Sequence, residues 1–142
     1  MASIWTFHAL NANGIPISLR TGLGYSRNCV ILYATLRNLN LTRRIVPYDW
    51  YDPHGARAIT LRIRLGPLEY ILSFEVVDYL PPPIVASLGL LFLRCEHANV
   101  CLSRRVITLQ DDGEEYELPL VESHQVTHNC TIRCLCDYLH YD

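Results

Sequence analysis

The sequence predicts an α+β fold: an antiparallel sheet with one main helix and a zinc-tied Cys/His-rich C-terminal lobe. Three observations carry that expectation. Residues 57–73 alternate apolar and polar side chains as a hairpin does. Residues 27–39 place Cys29, Leu32, Leu36 and Leu39 at helical spacing, behind Ser26 as N-cap. The stretch from His124 to Cys136 holds five soft-metal ligands in thirteen residues, and Cys95, His97 and Cys101 lie upstream. The expected division is a core lobe over 1–83 and a Cys/His-rich zinc lobe over 84–142, packed together as one unit.

The composition supports a folded chain. Of 142 residues, 50% are hydrophobic and 18% charged, which suits one real core and excludes intrinsic disorder. A net charge of −2 excludes a global attraction to nucleic acid, so any such binding needs a local patch. All 12 basic residues are arginine. Arginine grips phosphate and carboxylate bidentately. A lysine-free chain also escapes internal ubiquitin attachment, although coding bias in a compact genome explains the absence more simply.

Residues 1–10 have no basic region and no long apolar run, which predicts no signal peptide. The apolar stretch 80–93 is too short to span a bilayer and begins beside three prolines. The expected setting is therefore intracellular, where thiols stay reduced and cysteines serve metal more than disulfides.

Taken in order, 15–20 reads as a short strand, with Pro16 favouring an edge. Gly22 and Gly24 end it. The helix over 27–39 follows, with Cys29 a buried thiol on its apolar face. Asp49 to Gly55 carries turn chemistry, and Trp50 and Tyr51 beside it are read as covering the core, with base stacking the functional alternative. In the hairpin, Ile59, Leu61, Ile63 and Leu65 face one way, Gly66-Pro67 turns, and Leu68, Tyr70 and Leu72 return. Ser73 caps a short helix over 74–80, stopped by Pro81-Pro82-Pro83. Residues 90–95 read as a buried strand, 100–109 as its return, 111–115 as an acidic turn, and 116–121 as a last short strand. The stretch 124–136 groups its ligands on one side whether strand or helix.

The metal candidates are Cys95, His97, Cys101, His128, Cys130 and Cys134, with His124 and Cys136 in reserve. Thiolate and imidazole are the ligands zinc prefers, and four in a tetrahedron close a structural site. The plainer alternative is a cysteine-rich core edge, because no paired Cys-x2-Cys is present. Arg57, Arg62 and Arg64 are candidates for RNA phosphates, with Trp50 or Tyr51 stacking a base. The competing reading, which the net charge favours, is a solvated face paired with the 14 acidic residues. Gly22-Leu-Gly24 lacks the third glycine of a phosphate loop, and no His-Glu-x-x-His pattern supplies a hydrolytic base. No enzyme is expected.

The order Tyr70-Ile-Leu-Ser-Phe-Glu-Val-Val-Asp-Tyr79-Leu, then Pro81-Pro-Pro-Ile-Val, then Cys95 and Cys101, then Cys134-Leu-Cys-Asp-Tyr138-Leu-His-Tyr141, resembles the first-reading-frame protein of sobemoviruses. The resemblance implies a zinc-binding suppressor of plant RNA silencing that also supports virus movement. Its implied partners are a host silencing-pathway protein and small RNA, without membrane insertion, in the host cytoplasm with the nucleus as a second compartment. The alternative is a zinc-containing adaptor that recruits a ubiquitin ligase or a transcription partner. The family's first Cys-x2-Cys is absent here, and Leu65-Gly-Pro-Leu68 stands in that region.

Overall fold

The computed structural model describes residues 2–12, 15–52 and 54–125, with side chains for 19–52 and 54–121. The chain runs β1 (Ala2–Ala12), β2 (Ile15–Leu23), β3 (Val30–Leu32), α1 (Tyr33–Asn38), β4 (Val46–Pro47), β5 (Arg57–Leu65) and β6 (Leu68–Val77). It continues through β7 (Ala86–Leu88), α2 (Leu90–Cys95), β8 (Asn99–Cys101), β9 (Val106–Asp111), β10 (Glu114–Pro119) and β11 (Val121–Gln125). The protein is mostly β, which corrects the expected α+β class.

Eight strands form one sheet in the order β11-β1-β2-β7-β3-β6-β5-β4, and β1 also pairs with β5. That extra pairing links β1, β2, β7, β3, β6 and β5 into a closed ring, which removes most exposed sheet edge. The sheet is mixed: β2 runs parallel to β7, and β3 parallel to β6. A smaller antiparallel sheet, β10-β9-β8, packs its apolar side into the same core. That core joins Ile59, Leu61, Ile63 and Phe74 to Leu88, Leu93, Val100, Ile107 and Leu109. No helix among the described residues is long and apolar enough to cross a membrane.

The hairpin forms as its alternation predicts. Ile59, Leu61, Ile63 and Leu65 are buried while Thr60, Arg62 and Arg64 face out, and Leu65 pairs with Leu68 across the Gly66-Pro67 turn. Pro16 lies in the part of β2 that has only β1 beside it, so its missing N–H costs no ladder bond to β7.

Three expected elements change type. The helix over 27–39 is only six residues, Tyr33–Asn38, and Val30–Leu32 is a strand between β6 and β7. Ser26 does not cap it: its hydroxyl donates to the Asn28 carbonyl at 2.7 Å. Both faces of that strand are covered, Ile31 by the main core and Val30 by Leu80 and Ile84, so its apolar residues show no alternation. The helix over 74–80 is absent because β6 continues to Val77, turning Phe74 and Val76 inward. The strand over 90–95 is the helix α2, with Gly89 as N-cap. Its first four residues, Leu90 to Leu93, are all apolar, and so short a run has no period to tell the two apart.

Candidate functional site

Two loops about sixty residues apart in sequence interlock at one end of the ring. The first leaves β2 and reaches β3. The second leaves β6, passes Pro81 and β7, and enters α2. Val85 ties them twice: its N–H donates to the Arg20 carbonyl at 2.9 Å, and its carbonyl accepts from Leu32 at 3.0 Å. Gly24 donates to the Leu88 carbonyl at 2.9 Å. The Tyr25 N–H donates to the hydroxyl of buried Ser87 at 3.3 Å. The first turn of α2 is stitched to the same loop, Leu90 donating to the Ser26 carbonyl at 3.1 Å and Leu91 to that of Arg27 at 3.2 Å.

Small residues make the crossing possible. A Cβ on Gly22 would lie 2.8 Å from Ile84 Cδ1, and one on Gly89 would lie 2.3 Å from the Asn28 carbonyl carbon. Gly24 has φ 65°, a left-handed conformation that costs glycine little. Thr21 is buried and satisfies its own hydroxyl on the Leu19 carbonyl at 3.0 Å.

Arginine is frequent in the segments that meet here, with Glu75 and Asp78 the acids closest along β6. Residues 1–48 hold five arginines and no acidic residue, and residues 79–90 hold no acid either. Arg20, on β2 ahead of the first loop, is half-buried, with its Nε withdrawn from solvent. Between the first loop and α2 lies a cavity of about 350 Å3, lined by Gly24, Tyr25, Ser26, Arg27, Leu90, Leu91 and Arg94.

Three of the metal candidates, Cys95, His97 and Cys101, lie among the described residues. Cys95 is exposed at the end of α2, His97 is exposed with φ 50°, and Cys101 is buried on β8 with its sulfur 3.4 Å from the Ser103 hydroxyl. No three His, Cys, Asp or Glu side chains converge among the described residues. Over its described part the expected zinc-tied lobe is instead mostly β, with a small sheet on which Cys101 is buried. His128, Cys130, Cys134 and Cys136, and the side chain of His124, lie outside the described residues.

Arg62 and Arg64 share the outward face of β5, whereas Arg57, at its first residue, is exposed on the side of Ile59 and Leu61. Arg57 lies 4.0 Å from Asp78 and over the Tyr33 ring at 5.3 Å, and Arg62 lies 3.6 Å from Glu69. Trp50 and Tyr51 do not cover the core: they are 86% and 70% exposed and meet edge to face.

The closed mixed sheet with its interlocked loops is the fold of retroviral-protease-like domains. The retroviral protease-like domain of Ddi1 from Leishmania major superposes with a TM-score of 0.63, covering 85% of this chain and 96% of that one at 12% identity. A retropepsin-like aspartic protease from Rickettsia conorii matches with a TM-score of 0.45 and 15% identity, over 87% of this chain and 94% of that one. No family model and no curated protein matches the chain.

This fold overturns the resemblance to the sobemovirus first-reading-frame protein, and with it the roles in RNA silencing suppression and virus movement and the zinc-adaptor alternative. The segment that carried the resemblance, Tyr70 to Val85, is β6 and the crossing loop. The expectation of a non-enzymatic protein is corrected as well, because the fold is that of a retroviral protease-like domain.

Sequence reasoning passed over Arg20, Thr21, Tyr25, Arg27, Ser87, Gly89 and Arg94. The available signal was a pair of short segments that end in glycine, Leu19 to Gly24 and Ala86 to Gly89.

Proposed function

We propose that this chain acts on polypeptide, as a protease-like domain that receives an extended segment at the interlocked loops. The observation that carries the reading is the likeness to a retroviral protease-like domain over 96% of that domain's length. The loops support it in their own right. They are held rigidly by backbone bonds, and their rim combines apolar, aromatic and polar side chains, as peptide sites do.

Recognition and cutting are separable here. Aspartic proteases cut with two aspartate carboxylates that share one proton. The loop between β2 and β3 supplies no carboxylate, and the loop between β6 and β7 supplies one, Asp78, which is exposed beside Arg57. Hydrolysis by that route needs a second carboxylate from outside both loops.

The test mixes purified protein with a panel of short, unstructured peptides and an unfolded reporter polypeptide. Fluorescence anisotropy reads binding, and mass spectrometry reads cleavage. The expected result is saturable binding of extended peptides that Tyr25→Ala weakens. A folded protein that neither binds nor cuts any of them overturns the proposal.

A further inference from the structure

The cavity between the first loop and α2 carries two guanidinium groups and no acid to neutralise them. Arg27 and Arg94 both line it and both are exposed. Neither takes part in any of the ion pairs among the described residues, which involve Arg57, Arg62 and Arg104. No acid is among the residues that line the cavity. The acid nearest in sequence on the α2 side, Glu96, is engaged by the Tyr70 hydroxyl at 2.8 Å.

The α2 N-terminus is not the source of attraction. The helix is six residues long, and the N–H groups of Leu90 and Leu91 already donate to Ser26 and Arg27. Those two bonds have another consequence: they hold the loop that bears Arg27 against the helix that bears Arg94. The two cations therefore sit on braced backbone, which lowers the ordering cost of binding an anion between them.

The rest of the lining is apolar or aromatic. Leu91 is 42% exposed on the rim, beside half-buried Leu90 and Tyr25. About 350 Å3 is room for one or two side chains, at the low end of ordinary ligand sites. Guanidinium recognises carboxylate bidentately, and an adjacent leucine surface rewards an apolar neighbour.

We propose that this cavity is a subsite for an acidic residue of a bound peptide, its carboxylate held between Arg27 and Arg94 and a neighbouring apolar side chain resting on Leu91. The assignment rests on the polypeptide reading above and adds its selectivity: acidic segments with apolar flanks are taken in preference to neutral or basic ones. The preference comes from charge the chain leaves uncompensated, so it weakens as salt rises.

Two fluorescein-labelled peptides that differ by one Glu→Gln exchange beside a leucine test the subsite. Binding is measured by anisotropy at low and moderate salt, with the wild-type protein and with Arg27→Gln, Arg94→Gln and the distant control Arg64→Gln. The glutamate peptide should bind wild type about tenfold more tightly, the change that losing one charge-assisted pair produces. Arg27→Gln and Arg94→Gln should each erase most of that difference, and Arg64→Gln should preserve it. Added salt should narrow it in wild type alone. Equal binding of the two peptides by wild type overturns the subsite and leaves the polypeptide reading standing. The same holds if discrimination survives in both Arg27→Gln and Arg94→Gln. Failure of wild type to bind either peptide overturns the polypeptide reading itself. Because the first comparison varies only the peptide, it does not depend on any variant folding.

Discussion

The Cys29 sulfur accepts a hydrogen bond from the Gly89 N–H at 3.3 Å, joining residues 60 apart in sequence. The contact locks the two loops where they cross. A Cβ at position 89 would lie 2.3 Å from the Asn28 carbonyl carbon and 2.6 Å from both the Arg27 oxygen and the Cys29 nitrogen. All three are backbone atoms, so no side chain can swing away. Gly89→Ala should lower stability by about 3 kcal/mol, near the upper end of overpacking effects. Cys29→Ala, which leaves the buried N–H without its acceptor, should cost about 1–2 kcal/mol. Urea denaturation of both variants checks the order; a neutral Gly89→Ala would contradict the described crossing.

Alkaline pH should loosen the fold. Burial raises the Cys29 thiol above its ordinary 9.0, with the Gly89 hydrogen bond pulling the other way. Burial also raises the Tyr70 phenol above its ordinary 10.0, helped by the hydrogen bond to Glu96 and that carboxylate's charge. Both groups stay neutral in the folded chain at a pH where the unfolded chain has begun to release their protons. Their contribution is therefore complete below the ordinary values and is lost as pH rises through the folded ones. Denaturation midpoints should hold flat to about pH 8.5, then fall beyond 9.0. Cys29→Ala and Tyr70→Phe should each remove part of the slope, and an unchanged slope in both would refute the assignment.

Gly22 and Ile84 give a test of the second contact. The obstruction to a Cβ at 22 is the end of a side chain, Ile84 Cδ1 at 2.8 Å. Gly22→Ala alone should cost about 1–2 kcal/mol, and Ile84→Val alone about 1 kcal/mol. Ile84→Val removes the obstructing methyl, so the double variant should be more stable than the sum predicts by about 1 kcal/mol. Strict additivity in the cycle would place the strain elsewhere.

Cys95 and Cys101 should behave differently. Cys95 is exposed at the end of α2, and Cys101 is buried in the core against β9. Cys95→Ser should stay within about 0.5 kcal/mol of wild type, as surface changes do. Cys101→Ser should cost at least about 1 kcal/mol for burying a hydroxyl in place of a thiol. Equal, large losses accompanied by release of stoichiometric zinc would instead make both cysteines metal ligands.

What the sequence determined by itself is local. The alternation from Ile59 to Leu65, the Gly66-Pro67 turn and the return from Leu68 define a hairpin from neighbouring residues alone, as does Asp112-Gly113 between β9 and β10. Period-two patterning needs one buried face and no knowledge of the rest of the chain. The interior strands are another matter. Val30–Leu32 and Ala86–Leu88 are buried on both sides, so they carry no alternation, and the first passed for part of a helix. Cysteines and histidines that cluster along the chain suggested a metal centre, yet Cys95 and Cys101 leave α2 and β8 in different environments. Only the tertiary structure decided the parallel pairings β2–β7 and β3–β6, and with them the crossing of two loops that no local pattern connects. Those pairings follow from closing the ring: once β1 reaches β5, the apolar segments at 30–32 and 86–88 have one interior position left that buries both their faces.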